Sequence, residues 1–506
     1  MADAIAGLSL LSPTVFAFML LGVVVTQIVV IIPGLGAAVA LAILLPFMFG
    51  LEPTAAIAML VGAAVTSGTG NSVTGVLFGV PGSPTGVATI FDGYPMTKKG
   101  QGSRALAAAL MASMVGGLLG AIVLAFMIPI VRPLILAFGP SEFFLMVIAA
   151  LVVMASLGRE DRIRGLISGF LGLFFAFVGQ EVSTGVPRYT MGQLYLWDGL
   201  KLVPALIGLF AVAEMIRLMT QGGAIAEQGT PADIAGQRWQ GILDVFREWR
   251  VTLQSSMVGV LIGLVPGLGG GTAQFVAYGQ AVKTSKNPSE FGKGTVKGVI
   301  AADACTNSKE GGALVTTLAF AIPGSPTMAI LLVALVLMGV TPGSEMLSTN
   351  LDITWMIVWV LVFANILAGG LTLLFSSRLA RLSFVPISLL VAPVLAVSIF
   401  GSYATTRHVG DIWTALAFGL LGYAFIQYGY SRALLIIGMV LGPILEQNLT
   451  LAIQLYGWDF IRRPISIGLT VIIVVLLATP IIGFARRVAA TTLEPVGADE
   501  RDTRSS

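Results

Sequence analysis

Val73-Thr-Gly-Val-Leu-Phe-Gly-Val-Pro-Gly-Ser-Pro-Thr85 returns later in the chain as Val315-Thr-Thr-Leu-Ala-Phe-Ala-Ile-Pro-Gly-Ser-Pro-Thr327. Proline has no amide proton and clashes with the turn before it, so Pro-Gly-Ser-Pro set in apolar sequence must interrupt a helix. A shorter motif precedes each copy. Pro33-Gly-Leu-Gly36 stands 48 residues before Pro81, and Pro266-Gly-Leu-Gly269 stands 57 residues before Pro323. Two tetrapeptides and two pentapeptides in the same order mark two homologous halves. Gly/Pro-interrupted apolar segments at matching places point to a secondary transporter and to a binding site near the membrane midplane.

The surrounding composition names the solvent. The 506 residues are 56% hydrophobic and 10% charged, with a mean hydropathy of +0.94, whereas a soluble domain carries about a quarter charged residues. Apolar runs such as Val15 to Ile32, Ala105 to Val131, Phe143 to Leu157, Leu166 to Gly179, Met356 to Phe375 and Ile465 to Phe484 approach or exceed the roughly 20 residues that span hydrocarbon as a helix. The expected fold is therefore all-α, a polytopic transmembrane bundle with broken or re-entrant helices at its centre, and the lipid bilayer is its first partner.

Net charge is +3, but basic residues in such a chain first serve topology, and nucleic acid is not expected as a partner. Cys305 alone excludes an internal disulfide, and with His408 as the one histidine no structural zinc site is expected. Met1 to Pro13 lacks the basic start and small-residue cleavage site of a secretory signal, so the first apolar run reads as a retained helix.

Charged segments at Thr97 to Arg104, Gly158 to Arg164, Gln221 to Arg250, Lys283 to Lys297, Arg378 to Arg381 and Arg486 to Ser506 read as loops and tail. The chain accordingly divides into a first transmembrane half (1–220), a polar connector with a short interfacial helix and Trp249 at headgroup level (221–250), a second half (251–485) and a polar tail (486–506).

Irregular backbone at membrane depth is tolerated only where protein or a wet cavity covers it. Freed carbonyls can hold a cation there, and helix N-termini an anion. The candidate substrate-binding residues are therefore Pro81, Gly82, Ser83 and Thr85 with Pro323, Gly324, Ser325 and Thr327, and the polar residues upstream of each break: Asn71 and Ser72, Asn307, Ser308 and Lys309. Candidate cation ligands are the backbone at Gly34, Gly36, Gly267 and Gly269 and the hydroxyls of Thr74 and Thr316. Lys309 and Glu310 lie in an apolar segment, where ionisable residues are functional candidates. Lys309 either faces the cavity and meets a substrate carboxylate, or forms a solvated pair with Glu310 nearer the interface. For the glycines the plainer reading is helix packing.

Nucleotide chemistry is not indicated. Thr272 stands where Gly267-Leu-Gly-Gly-Gly-Thr272 needs its last glycine, and Phe291-Gly-Lys-Gly-Thr295 lacks the Gly-Lys-Ser/Thr of a phosphate loop. No nucleophile and base share an apolar segment, so an enzyme is not expected, nor a cofactor beyond the coupling ion.

Over nearly its whole length the chain resembles the large membrane subunit of the tripartite tricarboxylate transporters, the TctA family. The resemblance rests on Pro33-Gly-Leu-Gly36, Leu44-Leu-Pro-Phe-Met-Phe-Gly-Leu-Glu-Pro53, Pro81-Gly-Ser-Pro-Thr85 running into Phe91-Asp-Gly-Tyr-Pro-Met96, Pro266-Gly-Leu-Gly-Gly270, Ile322-Pro-Gly-Ser325, Leu441-Gly-Pro-Ile-Leu-Glu446 with Asn448, and Arg463-Pro-Ile-Ser466. It implies import of a di- or tricarboxylate driven by Na+ or H+, with a small four-helix membrane subunit and a periplasmic solute-binding protein, in a bacterial inner membrane. By analogy with other secondary transporters the two halves are expected to be inverted. The binding-protein-dependent TRAP type is the nearest alternative, which Asp92-Gly-Tyr-Pro95 argues against; a channel need not carry two equivalent breaks. Thr66-Ser-Gly-Thr-Gly-Asn-Ser72 and Asp303-Ala-Cys-Thr-Asn-Ser-Lys-Glu310 depart from the family's pattern beside the site.

Overall fold

The computed structural model describes residues 2–32, 34–157, 162–181, 184–221, 237–379, 382 and 387–476. Pro33, half of the expected connector (222–236) and the whole of the expected tail lie outside the described residues. The described residues are mostly helical, with one two-stranded pairing of Gly179–Gln180 and Pro187–Arg188 among them. Eight helices among the described residues are long and apolar enough to cross a membrane, and side chains such as Phe126, Leu374, Phe400 and Leu420 project outward from them. An apolar exterior of this kind is matched to lipid rather than water.

The same order of elements occurs twice around the motifs. In the first half, Pro13–Ile31 leads to Ala37–Leu44, then Pro53–Val65 running through Thr66 into Ser67–Phe78, then Val87–Lys98 and the long Gly102–Leu136. In the second, Trp249–Gly263 leads to Gly269–Thr284, Val296–Phe320, Pro326–Leu337 and the long Leu351–Leu379. Prolines at the first helical turn and hydroxyl caps start several of these: Ser12 accepts from Val15 N–H, and Ser325 from Met328 N–H.

Val296–Phe320 is the axis of the molecule and is buried for most of its length. Small residues let it sit against two neighbours at backbone distance. On Gly102–Leu136, Gly116 abuts the Ala304 carbonyl and Gly120 abuts Ser308; on Trp249–Gly263, Gly259 abuts Cys305 and Gly263 abuts Lys309. The preceding short helices cross between halves. Ala2–Ser9 lies on Leu351–Leu379, where Trp359 Nε1 donates to Ala4 O at 2.8 Å. Arg238–Arg247, at the end of the expected connector, lies on Gly102–Leu136, where Arg104 pairs with Asp244 at 2.6 Å.

The remaining helices flank this centre. Arg162–Ala176 packs on Arg432–Tyr456 through Gly172 and Gly438, and Val409–Tyr428 packs on the π-helical Ile207–Val212 through Gly208 and Gly419.

The Asp92-Gly-Tyr-Pro95 motif is a structural tie. Asp92 is fully buried. Its Oδ1 accepts from Gly294 N–H (2.8 Å) and Thr295 N–H (3.0 Å), and its Oδ2 from the Tyr278 hydroxyl (2.8 Å). Thr295 is the cap of Val296–Phe320, so a first-half carboxylate fixes where the central second-half helix begins. Gly93 meets Val76, and Tyr94 covers Gly79, whose φ of +67° ends Ser67–Phe78. Asp92→Ala leaves three donors without an acceptor and should cost about 3 kcal/mol or more, seen as a fall of several degrees in the unfolding midpoint of the purified protein, with Asp92→Asn less affected. Equal midpoints for Asp92→Ala and the parent protein contradict this role.

Candidate functional site

The two breaks are built alike. Gly34 N–H donates to Gly82 O, and Gly267 N–H donates to Gly324 O, both at 3.3 Å. Gly34 and Gly267 have φ of +88° and +87°, a conformation that glycine alone adopts freely. In each half the shorter motif thus docks on the longer one. Ser83 and Thr85 share a hydroxyl hydrogen bond at 2.6 Å, and Ser325 and Thr327 one at 2.8 Å. Before the first break Gly79 closes the helix in the left-handed region; before the second, Ala321 does so at φ +55°. Matching threonines bond back to their own helices, Thr74 Oγ1 to Asn71 O (3.2 Å) and Thr316 Oγ1 to Ala313 O (3.0 Å).

Upstream of the breaks the two polar clusters meet across the halves. Ser72 Oγ donates to Asp303 Oδ1 at 2.5 Å and Thr89 Oγ1 to Asp303 Oδ2 at 3.1 Å. Gln274 accepts from Ala88 N–H (3.3 Å) and donates to Thr306 Oγ1 (2.9 Å). Asn307 Nδ2 donates to Thr69 Oγ1 (2.8 Å) and to Asn365 Oδ1 (2.7 Å). Every one of these side chains is buried, and an unpaired polar group at this depth costs several kcal/mol. The clusters pair with one another, leaving Asn307 Oδ1 and Asn71 Oδ1 without a donor.

Lys309 and Glu310 lie mid-helix, 6% and 3% exposed, and are paired. The helix does not break beside them, so the pair is enclosed rather than solvated. The Lys309 stem passes Gly270: a methyl placed on that glycine would lie 2.6 Å from Lys309 Cε and would also collide with Thr85. Lys309 is thereby held between the second Pro-Gly-Leu-Gly motif and the first Pro-Gly-Ser-Pro break. Asn71 joins the same place, donating to Thr85 Oγ1 at 2.9 Å.

Other expected residues lie apart from this junction. Ser308 donates to Cys305 O at 3.2 Å and faces Gly259. Ser325 and Thr327 bond within their own break, Pro323 and Gly324 are buried beside it, and Pro81 is exposed. Space is open at Gly36 and Gly269, where an added methyl would meet nothing within 4 Å. Asp303, Thr89, Gln274 and Asn365 were not singled out in the sequence. For Asp303 the signal existed, an acidic residue inside an otherwise apolar helix.

Removing Lys309 alone leaves Glu310 as a buried, uncompensated carboxylate, for which about 3–5 kcal/mol is typical. Lys309→Met should therefore lower the unfolding midpoint well below that of Lys309→Met with Glu310→Gln. Equal midpoints for the single and double variants contradict a tightly enclosed pair.

Residues 16–437 match the family described as the tripartite tricarboxylate transporter TctA family. The chain is 30% identical over 490 residues to an uncharacterized 52.8 kDa protein in the TAR-I ttuC' 3' region of Agrobacterium vitis, covering 94% of this chain and 97% of that one. It is also 30% identical over 228 residues to an uncharacterized protein in the TAR-II ttuC' 3' region of the same organism, covering 44% of this chain and 94% of that one. No solved structure matches. The matched residues run through both breaks and the junction between them, and the chain belongs to the tripartite tricarboxylate transporter TctA family.

Proposed function

We propose that this chain carries a di- or tricarboxylate across a bacterial inner membrane, driven by a cation gradient. It works with a small four-helix membrane subunit and a periplasmic solute-binding protein that delivers the substrate. The family supports the transport class and the existence of partner subunits. The observation that carries the substrate reading is the placement of Lys309, a buried cationic side chain whose stem borders Gly270 together with Thr85, between motifs from the two halves.

A carboxylate entering there exchanges the Glu310 partner for its own oxygens. Lys309 supplies charge, while Ser83 and Thr85 supply hydroxyl donors. The exchange is reversible because Glu310 resumes the pairing when the substrate leaves, which keeps the site from holding its cargo too tightly. We read the two halves as inverted, so that rocking one against the other exposes the junction alternately to each side.

The test is uptake of a radiolabelled tricarboxylate by proteoliposomes holding the chain with its partners. Uptake should follow an imposed sodium or proton gradient, ignore ATP, and fall by about tenfold or more in Lys309→Ala, with partial recovery in Lys309→Arg. Strict ATP dependence contradicts the energy source. Undiminished uptake by Lys309→Ala contradicts the substrate site.

A further inference from the structure

Among the described residues, Asn71 Oδ1 is buried with no hydrogen-bond donor. Its orientation is set by its other end. Nδ2 donates to Ser67 O at 3.2 Å, an atom that can only accept, as well as to Thr85 Oγ1. A flipped amide would set two acceptors face to face.

The orphan oxygen points at Gly82, and it is not alone there. A methyl on Gly82 would lie 2.7 Å from Asn71 Oδ1, 3.0 Å from Val30 O and 3.1 Å from Thr74 Oγ1. Thr74 directs its proton to Asn71 O, so its lone pairs are free to turn inward. Val30 lies in the last turn of Pro13–Ile31, and the Gly34 N–H that would cover its carbonyl donates to Gly82 O instead. Three oxygens from two helices thus converge where a side chain is missing. Neutral oxygens gathered without a donor suit a dehydrated hard cation. No carboxylate contributes, which favours a monovalent ion over a divalent one.

The matching place in the second half lacks this equipment. Aligned on the two breaks, Ala313 stands for Asn71 and Gly263 O for Val30 O. A methyl on Gly324 would approach nothing closer than Gly263 O at 3.7 Å and Ala313 Cβ at 3.8 Å. The hydrogen-bonded frame is duplicated, and the ligand set is not.

We propose that the coupling ion is sodium and that it is held at the first break alone, by Val30 O, Asn71 Oδ1 and Thr74 Oγ1. The inference rests on the reading of the chain as a cation-driven carrier and narrows it to one ion at one of two look-alike places. Asn71 then serves both ligands. Its oxygen holds the cation while its nitrogen holds Thr85 beside Lys309, so a cation in place steadies the carboxylate site.

The experiment uses purified full-length chain, with radioactive sodium binding and thermal unfolding in NaCl against choline chloride at equal ionic strength. Sodium should bind and raise the midpoint. Gly82→Ala, which places a methyl among the three oxygens, and Asn71→Ala should each weaken sodium binding about tenfold or more and lose the midpoint rise, whereas Gly324→Ala keeps both. Thr74→Val should weaken binding as well, and it stands in for any variant that does not fold in choline chloride. Equal midpoints in both salts for the parent protein, or sodium binding retained by Gly82→Ala, overturn the site and leave an ordered water as its occupant. Sodium binding without tricarboxylate uptake would instead refute the transport reading and spare the site, while uptake on a proton gradient with no sodium binding would do the reverse.

Discussion

The hydrogen bond from Gly34 N–H to Gly82 O, with its twin from Gly267 N–H to Gly324 O, is the constraint on which the rest of the molecule depends. A chain in hydrocarbon must satisfy its backbone internally, and a proline-broken helix cannot do so alone. Docking one broken segment on another resolves the conflict locally in each half. The cost is geometric, since both donors need a left-handed backbone that only glycine enters freely. The benefit is irregular backbone held inside the helical bundle, with carbonyls and hydroxyls released from the helix ladder.

Once the two docked pairs exist, the halves still have to meet without stranding polar groups. Val296–Phe320 solves this by carrying its polar residues to the face of Ser67–Phe78 and the neighbouring helix starts, where Asp303, Thr306 and Asn307 find Ser72, Thr89, Gln274 and Thr69. Asp92 sets the start of that helix, and the glycines at Gly116, Gly120, Gly259 and Gly263 set its distance from its neighbours. Packing therefore explains most of the glycines, and the polar residues form a network that packing alone does not require.

The class of fold was legible from composition and from the repeated motifs, because hydropathy and proline chemistry are local properties. The helix ends at the breaks followed from them, whereas the enclosed position of Lys309 and Glu310 was left open between a cavity and a solvated interface. What was not legible were pairings across the chain. Ser72 and Asp303 are far apart in sequence, and nothing in either flank announces their contact. Asp92-Gly-Tyr-Pro95 was readable as a signature but not as the clamp on Thr295. Ser308, chosen for its hydroxyl, turned out to face Gly259, because its helix position and not its chemistry decides where it points. The contrast between Asn71 and Ala313 was available in principle from aligning the two breaks, yet its meaning depends on the three-dimensional convergence of Val30 O and Thr74 Oγ1.

At the junction, Asn71 holds Thr85 by one hydrogen bond, and Thr85 and Lys309 both border Gly270, so the proposed cation site and the proposed carboxylate site are neighbours. Two ligands joined so closely must affect one another equally. The most direct measurement is calorimetric titration of the purified chain with a tricarboxylate, citrate, in sodium and in choline buffers, and with sodium in the presence and absence of citrate. The account predicts that sodium tightens citrate binding by the same factor by which citrate tightens sodium binding, and that both factors fall to one in Asn71→Ala. Citrate affinity independent of sodium in the parent protein would contradict it.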